Sequence, residues 1–136
     1  MTQQKYLLAN QSLGKAEINL VSDDIRVILI DAADYTANLT TDQFLDIIPA
    51  GARVATSGAL AGKSVSALGV FDATDIVMSS VTGDEFEAVV IYQHTGVEST
   101  SRLISCDDTP TQLPATPNGT DVTIQWANGA NKIFKI

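Results

Sequence analysis

Ile25-Arg26-Val27-Ile28-Leu29-Ile30 decides the fold. A strand with one wet face alternates apolar and polar residues, whereas this run is apolar at every position except Arg26. Such continuity marks a strand covered on both faces, and it is placed in the middle of the fold. Asp121-Val122-Thr123-Ile124-Gln125-Trp126 reads differently, because strict alternation sends Val122, Ile124 and Trp126 to one face and the polar residues to the other. That is the pattern of a half-buried antiparallel strand. By the same rules, strands are predicted at residues 6–9, 16–20, 25–31, 52–56, 65–70, 75–79, 86–93, 101–106, 121–126 and 132–136. Short strands of this kind must bury one face against another sheet. The expected class is therefore all-β and mainly antiparallel, a β-sandwich or flattened barrel.

Turn residues punctuate these runs. Asn128-Gly129 lies between the last two strands and Thr82-Gly83-Asp84 between two earlier ones, which predicts a hairpin at each. Residues 107–120 carry Pro110, Pro114, Pro117 and Asn118-Gly119, so they form a long loop rather than a central strand or helix interior. One short helix is predicted over residues 41–48. Thr40 and Gln43 stand at capping-box spacing, Phe44, Leu45 and Ile48 form an apolar stripe, and Pro49 ends it. No repeat or internal linker appears, so residues 1–136 are read as a single β-rich domain, with residues 1–15 a candidate extended N-terminal arm.

Composition narrows the function. The chain is 45% hydrophobic and 18% charged, a globular balance, and no apolar run approaches the ~20 residues of a membrane span. The expectation is a soluble protein without a secretion signal, since the opening ten residues hold one lysine and only a short apolar stretch. The sole cysteine, Cys106, excludes an internal disulfide. A formal net charge of −8, with the eight basic residues scattered, opposes binding to nucleic acid.

Candidate chemical motifs fail on spacing or company. Gly58-Ala59-Leu60-Ala61-Gly62-Lys63-Ser64 resembles a phosphate loop but has three residues between its glycines where four are needed, and the next six residues, Val65 to Val70, read as extended rather than helical. His94 is the only histidine, so any triad would have to use it, and no nucleophile elbow or paired cysteines accompany it. The carboxylate pairs Asp23-Asp24 and Asp107-Asp108, and Asp31 with Asp34, lack the dense ligand alternation of a calcium loop and read as turn formers. The Asn-X-Ser/Thr triplets at Asn10, Asn38 and Asn118 are read as turn chemistry, and the scattered aromatics as core. The sequence thus assigns no catalytic, cofactor-binding or metal-binding residue and predicts that the chain is not an enzyme.

Several stretches carry a resemblance. They are Leu8-Ala9-Asn10 through Ile18-Asn19-Leu20, Ile25 through Asp31, Gly69-Val70-Phe71-Asp72-Ala73-Thr74-Asp75, and Ala88-Val89-Val90-Ile91-Tyr92 with Thr95-Gly96. Leu113-Pro114-Ala115-Thr116-Pro117-Asn118-Gly119 before Ile124-Gln125-Trp126 completes the set. Together they cover most of the chain and resemble small tailed-bacteriophage virion structural proteins of the head, decoration (cement) type. The resemblance implies a capsid decoration protein that stabilises the head at capsomer junctions. Its partners would be the major capsid protein or other virion proteins, and itself as a homotrimer, with no nucleic acid or membrane partner. It would be located in the virion and, during assembly, in the host cytoplasm. A tail or neck component and a carbohydrate-binding module on the virion surface are the alternatives.

Overall fold

The computed structural model describes residues 4–110 and 112–136. Among them the elements in chain order are β1 (Gln4–Lys5), α1 (Leu7–Gly14), β2 (Ile25–Ile30), β3 (Arg53–Thr56), β4 (Ser64–Val65) and β5 (Val70–Asp72). After these come β6 (Ile76–Met78), β7 (Ala88–Gln93), β8 (Leu103–Asp107), β9 (Val122–Ile124) and β10 (Phe134–Lys135). Single 3-10 turns occupy Leu45–Ile47, Ala50–Ala52 and Glu98–Thr100. The strands form a five-stranded sheet in the order β1-β8-β7-β2-β3, a three-stranded sheet β10-β5-β4 and a two-stranded sheet β6-β9. Every pairing is antiparallel. The fold is mainly β with one short helix, as its pattern of short apolar runs predicts.

β2 lies inside the large sheet, paired with β7 on one side and β3 on the other. Alternation sends Ile25, Val27 and Leu29 to the face shared with Val89 and Ile91, and Ile28 and Ile30 to the face shared with Ala88, Val90 and Tyr92. All of these side chains are buried. Residues 35–48 cover the second face: one cavity is bounded by Ile30, Ala88, Tyr35 and Leu39, another by Ile28, Tyr92 and Leu45. The two small sheets cover the first face, where Val89 shares a cleft wall with Ile124 and Trp126, and the Lys5 ammonium lies 5.5 Å from the Phe134 ring. Phe71 and Phe134 pack 5.3 Å apart within this layer.

Several local expectations are corrected. Residues 6–9 are not a strand, and of the segment read as an extended arm, residues 4–15 are folded, while residues 1–3 lie outside the described residues. Tyr6 N donates to Ile104 O at 3.0 Å, and the chain then coils into α1, burying Ala9 and Ser12 on one side. Leu, Ala and Gln are good helix formers, and a short apolar run does not by itself choose between the two periods. Residues 16–20 form no strand because the Asn19 side chain captures the amides of Val21 and Ser22, both at 3.1 Å. Residues 65–70 are a hairpin rather than one strand: Ser66 and Gly69 close the turn between β4 and β5, with Gly69 at φ +79°.

The helix predicted over 41–48 reduces to the 3-10 turn at Leu45–Ile47. Asn38 Oδ1 takes the Thr40 and Thr41 amides at 3.1 and 3.2 Å, and Phe44 is extended, bridged to Arg102. Leu103 N donates to Gln43 O and Leu45 N to Ser101 O, both at 2.8 Å, so strand pairing prevails over local helical propensity. The apolar stripe survives in part, because Leu45 and Ile48 are buried. Neither predicted hairpin forms, since β6 pairs with β9 and β10 with β5.

Trp126 anchors the small-sheet layer, 5% exposed, with Nε1 donating to Thr74 O at 3.2 Å. Trp126→Ala should destabilise the chain by about 3–5 kcal/mol through the cavity it opens. Urea denaturation checks this, and an unchanged midpoint and slope would place the ring outside the core.

Candidate functional site

The only histidine, His94, comes directly after β7, and its backbone N–H is held by Asp24 O at 2.7 Å. It borders a cavity of about 220 Å³ with Ile28, Arg53, Tyr92, Glu98 and Ser101. Its Nδ1 lies 3.2 Å from the Tyr92 hydroxyl, and the two rings meet edge to face. The neighbouring hydroxyl of Ser101 donates to Val97 O at 2.9 Å and accepts from Thr95 N at 3.1 Å. Ser101 is therefore committed to the 94–101 turn, and His94 has no hydrogen bond to a Ser, Thr or Cys side chain among the described residues.

Arg53 is the most heavily bonded side chain here. Its guanidinium grips Ile48 O and Leu45 O and pairs with both Glu98 oxygens, at 2.7 and 3.1 Å. The hydrogen bond from Arg53 holds the Glu98 carboxyl below the usual carboxylate range, and Arg26 does the same for Asp24. Both pairs fasten loops to the large sheet. They do not create an acid or base poised near neutrality.

Cys106 lies on β8 beside Tyr6 and Tyr35. The Tyr6 and Tyr35 hydroxyls are 2.9 Å apart, and Tyr35 donates at 2.8 Å to Asp42 Oδ2, which also accepts from Asn38 N at 2.9 Å. Burial first, then Asp108 and Asp107, pushes the Cys106 thiol up to about 12, and burial raises both phenols above their ordinary values. A thiol so shifted is almost wholly protonated at neutral pH and is a poor nucleophile.

The remaining motifs resolve into structure. Gly62, in the segment that resembles a phosphate loop, has φ +61°, and a Cβ there would lie 2.4 Å from Thr74 Oγ1, so turn geometry explains the glycine. Lys63 donates to Asp23 O. Asp23, Asp31 and Asp107 each accept a nearby backbone N–H, as turn formers do. Among the described residues no group of three or more His, Cys, Asp or Glu could hold a metal ion, and no helix is long and apolar enough to cross a membrane.

Two surface features were not foreseen. One is a cleft of about 820 Å³ between the proline-bearing loop and β9, with Phe86, Val89, Leu113, Ile124 and Trp126 in its wall. The other is a groove of about 660 Å³ beside the β4 edge, where Val21, Val65 and Ile136 are exposed and Leu13, Ile18 and Leu20 line the interior. Leu68, 74% exposed, projects from the adjoining turn. The sequence signal for this patch was slight, because isolated apolar residues between strands look like strand residues. Comparison with protein-family models and with curated proteins finds no match.

The buried thiol and phenols give the chain an alkaline limit. Their pKa values are higher folded than unfolded, so as pH rises the unfolded chain sheds protons that the folded chain keeps. The Cys106 contribution to stability should be complete below its ordinary 9.0 and lost as pH climbs to about 12. Urea midpoints measured across that range should fall, and Cys106→Ala should flatten the onset. Midpoints that hold or rise would refute the assignment.

Proposed function

We propose that this chain is a bacteriophage virion structural protein, a capsid decoration protein that binds junctions between capsid subunits and stabilises the assembled head. The observation that carries the reading is the apolar patch at the β4 edge. Val21, Val65, Leu68 and Ile136 are all exposed, and β4 is the terminal strand of its sheet. Exposed apolar side chains beside the terminal strand of a sheet suit adhesion to another protein. A domain that binds the assembled shell and not the free subunit stabilises the shell by mass action, with no chemistry required.

The resemblance to small tailed-phage virion proteins supports the same reading, as its stretches include β2, β5 and β7. Five of the eight basic side chains, Lys5, Arg26, Arg53, Lys63 and Arg102, bond within the chain, which leaves little cationic surface for DNA. A glycan platform on Trp126 is disfavoured, since the ring is buried and its N–H is taken by Thr74 O.

The reading predicts many copies per particle, heads that resist heat better with the protein than without it, and neither hydrolase activity nor DNA affinity. Truncation before Lys15 would remove β1 and α1 and so confound binding with folding. Val65→Glu and Leu68→Glu are cleaner, because exposed substitutions cost within about 0.5 kcal/mol of stability. Each should weaken binding to purified heads by about tenfold, equivalent to ~1.4 kcal/mol, in a co-sedimentation titration. Parent-like binding by both variants would remove the patch from the interface. A copy number of only a few per particle would move the protein to the tail or neck.

A further inference from the structure

The chain contains two Asn-Gly pairs, Asn118-Gly119 and Asn128-Gly129, and the structure treats them oppositely. Asn-Gly is the dipeptide most open to spontaneous ring closure, because glycine puts no Cβ in the way of its own backbone nitrogen. Closure needs that nitrogen free and the asparagine side chain able to swing onto it. At the first pair neither condition holds. Gly119 N donates to Val81 O at 2.8 Å, and Asn118 Oδ1 accepts from Thr120 N at 3.2 Å and from Thr120 Oγ1 at 2.6 Å.

At the second pair both conditions hold. Asn128 and Gly129 are exposed, a Cβ added at Gly129 would meet nothing within 4 Å, and neither the Asn128 side chain nor Gly129 N has a hydrogen bond among the described residues. The one bond at Gly129 uses its carbonyl, which accepts from Lys132 N at 3.2 Å. From this contrast we infer that Asn128 is a site of spontaneous, structure-permitted deamidation, while Asn118 is protected by the fold.

The reaction consumes only water. Gly129 N attacks Asn128 Cγ, the N–Cγ bond forms, and the Cγ–Nδ2 bond breaks, with the amide proton leaving on ammonia. Water then opens the five-membered succinimide at either carbonyl to give aspartate or isoaspartate. Asn128 borders the cleft that contains Trp126, so the product adds a negative charge at the cleft rim of an already acidic chain.

Both asparagines lie between Arg102 and Lys132, so a single tryptic peptide, residues 103–132, reports on both. The full chain is incubated folded at neutral pH and body temperature and, in parallel, in denaturing urea, and fragment-ion mass spectrometry locates the amide-to-acid mass gain. In the folded chain Asn128 should convert several-fold faster than Asn118. In urea the two rates should converge, because the bonds that guard Asn118 are gone. Equal rates in the folded chain, faster loss at Asn118, or no conversion at Asn128 while the unfolded chain converts would each overturn the inference. Gly129→Ala should slow conversion at position 128 and leave position 118 unchanged. An equal slowing at both would overturn the assignment to that pair.

Discussion

The pairing of β2 with β7 runs unbroken from Ile25 opposite Gln93 to Ile30 opposite Ala88, and on both faces its side chains are buried except that of Arg26. A strand pair this apolar cannot lie at a surface, since each exposed aliphatic side chain forgoes roughly 1.5–3 kcal/mol of burial. That requirement sets most of the work of the remaining residues. The two small sheets close one face, and the largely irregular segment 35–48 closes the other.

Closing a face with irregular backbone is costly unless its polar groups are bonded, because a buried N–H or C=O without a partner loses its hydration for nothing. The 35–48 segment meets this condition in three ways. Asn38 and Asp42 accept its own amides, Gln43 and Leu45 bond to Leu103 and Ser101 at the start of β8, and Arg53 caps the carbonyls of Leu45 and Ile48. Tyr35 then ties the cover to Tyr6, in the segment that joins β1 to α1. The phenols, the carboxylate and the arginine of this region are thus the fastenings of one layer.

What was legible in the sequence was whatever depends on near neighbours along the chain. The continuous run at β2 and the alternation at β9 gave strands in the right places, with β2 covered on both faces and Ile124 and Trp126 turned inward. The misplaced helix and hairpins share one cause, which is competition between local and distant partners. Thr40 and Gln43 have capping-box spacing, yet Phe44 answers to Arg102, far along the chain. Asn128-Gly129 has hairpin chemistry, yet the strands on either side of it belong to different sheets. The surface was read least well. That His94 sits at a loop edge was apparent, but the Arg53–Glu98 clamp beside it and the apolar patch at β4 depend on register and on which strands end a sheet, and no spacing rule reports either.

The same distant pairing bears on how the chain must come off the ribosome. None of the three sheets can be completed from early sequence: β1 needs β8, β6 needs β9 and β5 needs β10. A nascent chain therefore carries its most apolar strands, β2 and β7, in finished form while parts of their cover are still being synthesised. Topologies dominated by such long-range closure fold slowly and leave sticky intermediates exposed. For this chain the exposure of β2 and β7 ends only when β9 has joined β6 and Phe134 has reached Phe71 to close the last ladder.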